Sequence, residues 1–238
     1  MQSGVRRMLG RTSMILTAAS AIVLANCGAF EESPPVPPPA GAASNLLIDP
    51  GFETTNPPAW LATGATAVEV LIPSEEQARN GTRSARFRTD GLRGAVQSVN
   101  TAEFPEFLSG YYRVDSWPDD GSAYLQFSVR APTGSFTLAP EIRFVIAGAS
   151  GEPERSPGVP YVHLSRDAPV VGEWTYFAYP LRQAFIERLA VVPETWASID
   201  VTVEARSAPG APPVVAYFDD LYLGSQIGNP NKPKETRE

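Results

Sequence analysis

Short segments of alternating apolar and polar residues, separated by turn residues, recur from Asn45 to Gly224. A period of two is typical of strands that bury one face, and no long helical period appears in this part of the chain. The pattern therefore predicts an all-β domain, either a sandwich or a barrel. The predicted strands are Asn45–Ile48, Ala67–Leu71, Ser84–Thr89, Ala95–Val99, Tyr111–Trp117, Tyr124–Arg130, Glu141–Ala147, Tyr161–Leu164, Trp174–Tyr179, Ser198–Ala205 and Val215–Leu223.

Three segments depart from this alternation. Leu181, Phe185 and Leu189 recur at helical spacing, which predicts a short helix over Leu181–Leu189. The segment Gly148–Pro160 contains several glycines and prolines and is predicted to be an exposed, mobile loop. The polar tail, residues 226–238, is predicted to be disordered.

The first 44 residues have a different composition. Three arginines precede an apolar run from Met14 to Ala25, and the only cysteine of the chain, Cys27, follows that run. The run is too short for a comfortable transmembrane helix and has the layout of a secretory signal. Residues 28–44 are rich in proline and cannot bury a core, so they are predicted to form a disordered, extended spacer.

Charge and cysteine content narrow the function classes. The 19 lysines and arginines against 26 aspartates and glutamates give a formal net charge of −7. This charge argues against electrostatic binding to nucleic acid or to anionic lipid headgroups. A single cysteine excludes an intramolecular disulfide framework.

Carboxylates interrupt the apolar segments at both ends of the β domain. The closing segment Ala216–Gly224 contains adjacent Asp219 and Asp220, and the opening segment Asn45–Glu53 breaks at a Pro-Gly pair before Glu53. Charges inside an apolar strand need partners, which suggests that the two chain ends meet.

These two segments, together with Asn80–Phe87, Tyr124–Arg130 and Gly172–Phe177, resemble the carbohydrate-binding modules of the galactose-binding-like jelly-roll superfamily. They occur in family order and cover most of residues 45–224. The resemblance implies an antiparallel jelly-roll β-sandwich over residues 45–225 and a carbohydrate partner. Leu24–Cys27 similarly resembles the lipoprotein signal of bacteria.

The lipoprotein resemblance implies that residues 1–26 are removed as a signal peptide and that Cys27 is lipidated. Residues 27–44 would then link the domain to a lipid bilayer. Gly28 after the cysteine favours the outer membrane of a cell envelope. The alternative is an ordinary signal peptide followed by an incidental cysteine.

The carbohydrate-module resemblance also implies a structural calcium (Ca²⁺) site near the chain ends. The positions that match it are Gly51, Glu53, Thr82 in the Gly81–Arg83 turn, Asp219 and Asp220. A hard cation prefers several oxygen ligands and would neutralise carboxylates that the fold brings together. The alternative is that these carboxylates are hydrogen-bonded, or paired with Arg83 or Arg86.

Strand alternation further predicts a face on which aromatic and polar side chains mix. The predicted ligand-binding residues on this face are Tyr111, Arg113, Asp115, Trp117, Tyr124, Gln126, Arg143 and Tyr161. Aromatic rings beside forked donors and acceptors suit a sugar, whose CH face stacks while its hydroxyls form hydrogen bonds. The alternative is a solvated sheet face with cross-strand ion pairs such as Arg113 with Glu141.

No catalytic signature accompanies these features. His163 is the only histidine and lies outside any nucleophile motif, and no phosphate-binding loop or zinc-protease motif is present. We therefore expect a non-enzymatic envelope lipoprotein with a carbohydrate-binding-like domain. A protein-interaction or scaffold domain of the same fold is the alternative, because fold does not determine function.

Overall fold

Two β-sheets face each other in the computed structural model, which describes residues 45–55, 58–64, 73–101, 104–130, 140–149, 155–156, 159–190 and 198–225. In these residues the elements are β1 Leu61–Gly64, β2 Ala85–Thr89, β3 Leu92–Asn100, β4 Phe107–Ser116, β5 Tyr124–Arg130, β6 Glu141–Gly148, β7 Arg155–Ser156, β8 Val159–His163, β9 Trp174–Pro180, α1 Leu181–Leu189, β10 Ser198–Arg206 and β11 Val214–Gly224. A seven-stranded sheet has the order β1-β3-β10-β5-β6-β8-β7, and a four-stranded sheet has the order β2-β11-β4-β9.

Eight of these strands pair in a nested pattern. In chain order the eight are β2 to β6 and β9 to β11. The first pairs with the last, the second with the seventh, the third with the sixth and the fourth with the fifth, all antiparallel. This wrapping of one long folded ribbon around a core defines a jelly roll. The predicted fold, an all-β antiparallel jelly-roll sandwich, is confirmed.

The core lies between the two sheets and consists of the inward residues of both. On β5, Leu125, Phe127 and Val129 occupy every second position and belong to the core cluster, as strand alternation predicts. The ring centroid of Phe127 lies 6.1 Å from that of Phe177 on β9, which belongs to the opposite sheet. Full burial of each such side chain contributes about 1.5–3 kcal/mol relative to exposure.

The helix α1 spans Leu181–Leu189, as its spacing predicts. It buries Leu181 and Phe185, one turn apart, and the Phe185 ring meets Phe104 edge-on at 5.0 Å. It ends at Ala190, which adopts the left-handed conformation and donates its N–H to the Ile186 carbonyl. In the part of the chain that the structure describes, no helix has the length and apolar character to cross a bilayer.

The predicted strand Asn45–Ile48 is wrong, although the segment lies beside β11. One backbone hydrogen bond joins the two, from the Leu46 N–H to the Leu223 carbonyl at 2.8 Å. The Asn45 side chain makes the neighbouring bonds: its amide donates to the Leu221 carbonyl at 2.8 Å and its oxygen accepts from the Leu223 N–H at 3.0 Å. Asp49 then adopts a φ of 52°, which turns the backbone away from an extended path. Local side-chain bonding and a turn therefore override the apolar pattern.

Several sequence-based predictions fall partly or wholly outside the described residues. These are the signal and linker, the strand Ala67–Leu71, the C-terminal tail and most of the Gly148–Pro160 loop. Within that loop, Arg155 and Ser156 form β7 and pair with the start of β8. The pattern did not predict β1, which is only four residues long.

Candidate functional site

The predicted binding residues lie on opposite sides of the sandwich. Tyr111, Arg113 and Asp115 belong to β4 in the four-stranded sheet, whereas Tyr124, Gln126, Arg143 and Tyr161 belong to β5, β6 and β8 in the seven-stranded sheet. The outer faces of two stacked sheets point in opposite directions, so the structure does not bring these two sets together. Sequence alternation assigns a side chain to a face, but it does not assign a strand to a sheet.

Trp117 faces the core and not the outer surface. The pairing of β4 with β11 places Ser116 opposite Val215 and Val114 opposite Ala216, so Asp115 is one extra residue on β4. Such a β-bulge reverses the alternation beyond it. Trp117 accordingly contacts the core cluster, and its ring lies against Gly148. The predicted outward orientation of Trp117 is therefore wrong.

Residues 73–83 lie over part of the outer face of the four-stranded sheet. The Arg79 guanidinium lies 3.4 Å from the centre of the Tyr111 ring, and Glu76 accepts a hydrogen bond from the Tyr217 hydroxyl at 3.1 Å. Burial raises the pKa of Tyr111, although the Arg79 charge opposes this shift. Arg113 pairs with Asp115 on the same strand at 2.8 Å, not with Glu141.

The outer face of the seven-stranded sheet carries a cleft of about 270 Å³, which we call the outer cleft. Strands β1, β3, β10, β5 and β6 supply its walls. Its lining residues are Thr63, Val96, Gln126, Ser128, Arg130, Glu141, Arg143, Asp200, Thr202 and Glu204. Of the predicted binding residues, Gln126 and Arg143 are among them. Sequence reasoning missed the β10 residues, although their alternation with buried Ile199, Val201 and Val203 was visible.

Three arginine–carboxylate pairs lie in or beside the outer cleft. Arg143 Nε lies 2.6 Å from Glu141 Oε1, Arg130 Nη2 lies 2.8 Å from Asp200 Oδ2, and Arg206 Nη2 lies 3.1 Å from Glu204 Oε2. Two pairs join residues two positions apart on one strand, which share a face. The third joins residues that are directly opposite each other on β5 and β10. Each pair presents a hydrogen-bond donor next to an acceptor.

Two members of these pairs have shifted pKa values, and both shifts favour the charged form. Burial would raise the pKa of Asp200, but hydrogen bonds from Ser98 and Arg130 outweigh burial and lower that pKa. Burial would lower the pKa of Arg143, yet the hydrogen bond and charge of Glu141 and the Tyr161 hydroxyl raise it further above its usual value. Asp200 and Arg143 are therefore both charged near neutral pH.

Tyr124 and Tyr161 flank the outer cleft, but neither ring is open. They are 9% and 4% exposed. Guanidinium groups also lie over them, Arg206 at 5.9 Å from the Tyr124 ring centre and Arg143 at 5.5 Å from that of Tyr161. The structure therefore does not present these rings as stacking platforms.

Two buried oxygens that line the outer cleft accept no hydrogen bond. The Gln126 side chain is 1% exposed and its amide nitrogen donates to Glu204, but its Oε1 has no partner among the described residues. The hydroxyl oxygen of Thr63 is unpaired in the same way. Because buried polar atoms nearly always have partners, these two oxygens are candidates for a donor that the described residues do not supply.

The five residues of the predicted calcium site gather around the turn formed by residues 79–83. Both Asp219 oxygens accept hydrogen bonds, one from the Arg79 and Asn80 N–H groups at 2.7 and 3.2 Å and the other from the Asp220 N–H at 2.7 Å. Asp220, at the β11 bulge with a φ of 49°, accepts from the Arg79 guanidinium at 2.6 Å. Gly51 lies beside Asp219 Oδ1.

Glu53 binds the same turn from the other side. Its Oε1 accepts from the N–H groups of Thr82 and Arg83 at 2.9 and 3.1 Å, and its Oε2 accepts from the Thr82 hydroxyl at 2.8 Å. A Cβ at Gly81 would lie 2.0 Å from Glu53 Oε1, so this contact requires glycine. The hydrogen bonds from Thr82 and Arg83 outweigh the opposing effect of burial and lower the pKa of Glu53.

This donor set does not fit a cation. Backbone N–H groups and a guanidinium already point at the carboxylate oxygens, and such donors stabilise anions. Among the residues that the structure describes, no group of three or more Asp, Glu, His or Cys side chains is arranged to hold a metal ion. Calcium binding at Gly51, Glu53, Thr82, Asp219 and Asp220 stays a prediction.

Comparison with known proteins gives structural neighbours only. No family model matches the chain, and no curated protein matches it. TmCBM61 in complex with β-1,4-galactotriose is 13% identical, with a TM-score of 0.45 over 77% of this chain and 100% of the other. A xylan-binding domain from CBM 22 is 15% identical, with a TM-score of 0.46 over 78% of this chain and 97% of the other. The C-terminal family 22 carbohydrate-binding module of Clostridium thermocellum Xyn10B is 16% identical, with a TM-score of 0.44 over 80% and 98%. The fold assignment above rests on the strand pairing of this chain itself.

Proposed function

We propose that the outer cleft binds a carbohydrate and that the protein presents this non-catalytic domain at the cell envelope. The observation that carries the proposal is the set of three arginine–carboxylate pairs beside the unpaired Gln126 oxygen. A saccharide offers neighbouring hydroxyls, each both a donor and an acceptor, and paired charges supply the complementary acceptor and donor. The cleft walls are strands, which hold these groups in fixed positions.

The same pairs support a binding role over a hydrolytic one. Glycoside hydrolysis needs one carboxylic acid that keeps its proton near neutral pH. Each carboxylate that lines the outer cleft accepts a hydrogen bond from an arginine. The one whose pKa is shifted, Asp200, is shifted downward. We therefore assign no general acid to this cleft.

The binding proposal is tested with a pair of arginines that differ in location. Arg130 and Arg88 are both exposed strand residues, but Arg130 lines the outer cleft and Arg88 lies on β2 of the opposite sheet. We expect Arg130→Ala to weaken glycan binding by about tenfold, because a hydrogen bond to a charged group contributes about 1.5–3 kcal/mol. Arg88→Ala should leave binding unchanged. The measurement is calorimetric titration with the glycans that the full-length protein retains on an array.

Two results would count against the outer cleft. If Arg88→Ala weakens binding and Arg130→Ala does not, the ligand lies on the four-stranded sheet. If no glycan is retained by any form of the protein, the protein-interaction or scaffold role that the sequence left open becomes the better proposal.

We also propose that Cys27 anchors the protein to a membrane. This proposal can be tested independently of the outer cleft. The support is the position of this single cysteine directly after the apolar run, in a part of the chain outside the described residues. Cys27→Ser should move the protein from the membrane pellet to the soluble fraction, because the acyl chains supply the anchoring free energy. Quantitative fractionation with an unaltered control measures this, and a variant that still sediments with membranes contradicts lipid anchoring.

A further inference from the structure

The charges of the outer cleft constrain the ligand further, given the carbohydrate-binding function proposed above. Arg130 and Arg143 supply two positive charges, and Glu141, Asp200 and Glu204 supply three negative ones, so the lining carries 2 − 3 = −1. Arg206 pairs with Glu204 from beside the cleft and brings the total to zero. Among the described residues, the outer cleft therefore has no excess of positive charge to attract an acidic polymer.

Each of these three arginines also already forms an ion pair with a carboxylate. Their guanidinium groups lie 2.6 to 3.1 Å from carboxylate oxygens of the same surface. An anionic sugar could gain a guanidinium only by displacing one of these carboxylates. Displacement at Arg206 would leave Glu204, which is 8% exposed, as a buried charge without its counter-ion. A glycan carboxylate, sulfate or phosphate would instead meet Glu141, Asp200 and Glu204 at short range.

The unpaired groups require hydrogen-bond donors. The Gln126 Oε1 atom accepts only, and the Thr63 hydroxyl oxygen has room to accept. A sugar hydroxyl can satisfy either oxygen, whereas an ionised carboxylate or sulfate cannot, because it carries no proton to donate. The covered rings of Tyr124 and Tyr161 leave these polar contacts as the main basis of recognition.

We propose that the outer cleft selects neutral saccharides, binds them through their hydroxyl groups and rejects glycans that carry uronate, sulfate or phosphate. The selection of neutral saccharides follows from three properties of the same surface: its charges balance, its arginines are already paired with carboxylates, and its unpaired oxygens can accept hydrogen bonds from hydroxyl groups.

The test uses matched neutral and acidic glycans. Full-length protein in a non-glycosidic detergent is applied to an array of neutral and acidic polysaccharides, which includes polygalacturonate and its fully methyl-esterified form. Arg130→Ala and Arg88→Ala are applied in parallel. We expect every glycan whose retention falls with Arg130→Ala but not with Arg88→Ala to be neutral. Affinity for such a glycan should change by less than about twofold between roughly 0.05 and 0.5 M NaCl, since no net charge is paired on binding.

A charge variant supplies a gain-of-binding measurement. Asp200→Asn removes the counter-ion of Arg130 and changes the lining charge from −1 to 0. We expect this variant to retain polygalacturonate at least about threefold better than the unaltered protein at low salt, and the gain should disappear at high salt. No such gain would show that charge does not control selection and would overturn the inference.

The outcomes separate this inference from the proposed function. Retention of an acidic glycan that depends on Arg130 and exceeds that of its neutral counterpart overturns the inference, yet it keeps carbohydrate binding at the outer cleft. Retention of no glycan overturns both. Neutral glycans bound equally well by the unaltered protein and by Arg130→Ala overturn the outer cleft as the site.

Discussion

Asp219 is a carboxyl that the fold buries completely, at 0% exposure. Burial raises its pKa to about 6, the N–H groups of Asn80, Arg79 and Asp220 oppose this shift, and the Asp220 charge adds to it. The folded protein therefore binds a proton at this residue more tightly than the unfolded chain, whose carboxyl has a pKa near 3.8. The contribution of Asp219 to stability is full below about pH 4 and is lost as the pH rises through about 6.

The direction of this pKa shift predicts how the stability of the Asp219→Asn variant depends on pH. The variant should be destabilised at every pH, because an amide NH₂ cannot accept the N–H donors that a carboxyl oxygen accepts. The free energy of unfolding that the substitution removes should be roughly 2–3 kcal/mol smaller at about pH 7 than at about pH 4. The reason is that the stabilising contribution of Asp219, present only in the unaltered protein, is lost between these two pH values. Urea unfolding at both pH values measures the difference.

Asp200→Asn is the matched control with the opposite sign. The pKa of Asp200 is lowered in the fold, so its stabilising contribution is present near neutral pH and lost in acid. The penalty of Asp200→Asn should hardly change between about pH 7 and about pH 4, and it should shrink only at lower pH, because the folded carboxyl titrates below 3.8. If the penalty of Asp219→Asn also stays the same between about pH 4 and about pH 7, Asp219 is ionised throughout this range and the assignment of its pKa is wrong.

At the scale of the element, two β-bulges decide which side chains the central strands present. The bulge at Asp115 on β4 turns Trp117 toward the core, and the bulge at Asp220 on β11 lets both Phe218 and Leu221 face the core. Without these extra residues the alternation would continue and place Trp117 and Leu221 outside.

The bulge on β4 predicts that Trp117 contributes to stability and not to binding. Trp117→Ala should lower the free energy of unfolding by about 3 kcal/mol, within the range for large aromatic residues in cores. The glycan affinity of the folded molecules should not change. Trp174 is the matched control, because it is also half-buried but is not among the residues packed against the core cluster. Trp174→Ala should cost less, and the reverse order in urea unfolding would place Trp117 on the outer surface.

For the whole molecule, the turn at residues 79–83 joins the opening segment to the closing strand. Glu53 and Asp219, which are far apart in sequence, both accept its N–H groups. Such long-range contacts join the two ends of the domain at the position where the sequence resemblance places calcium.

Chelation distinguishes these two ways of joining the chain ends. Because N–H donors already satisfy the carboxylates, we expect EDTA to leave the melting temperature unchanged and added calcium to have no effect. If calcium binds the folded state, chelation should lower the melting temperature by several degrees and calcium should restore it. Glu53→Gln should then abolish the response, which would establish the predicted calcium site.

The amino-acid sequence by itself determined the fold class, α1 and the inward residues of β5 and β6. These features depend on local periodicity, since a side chain two positions along a strand returns to the same face and one four positions along a helix returns to the same side. The irregular course of Asn45–Ile48 was not predictable in this way, because the Asn45 side chain bonds to residues 176 and 178 positions away.

Only the tertiary structure decided where the candidate site lies. Gln126 and Arg143 were predictable as outward residues, but their partners Glu204 and Glu141 and their separation from Tyr111 depend on strand order. That order is set by which apolar faces bury together, which is a property of the whole chain. The bulge at Asp115 likewise exists only relative to β11. Periodicity therefore fixes the face that each residue occupies, whereas long-range pairing fixes its neighbours, and a binding site consists of neighbours.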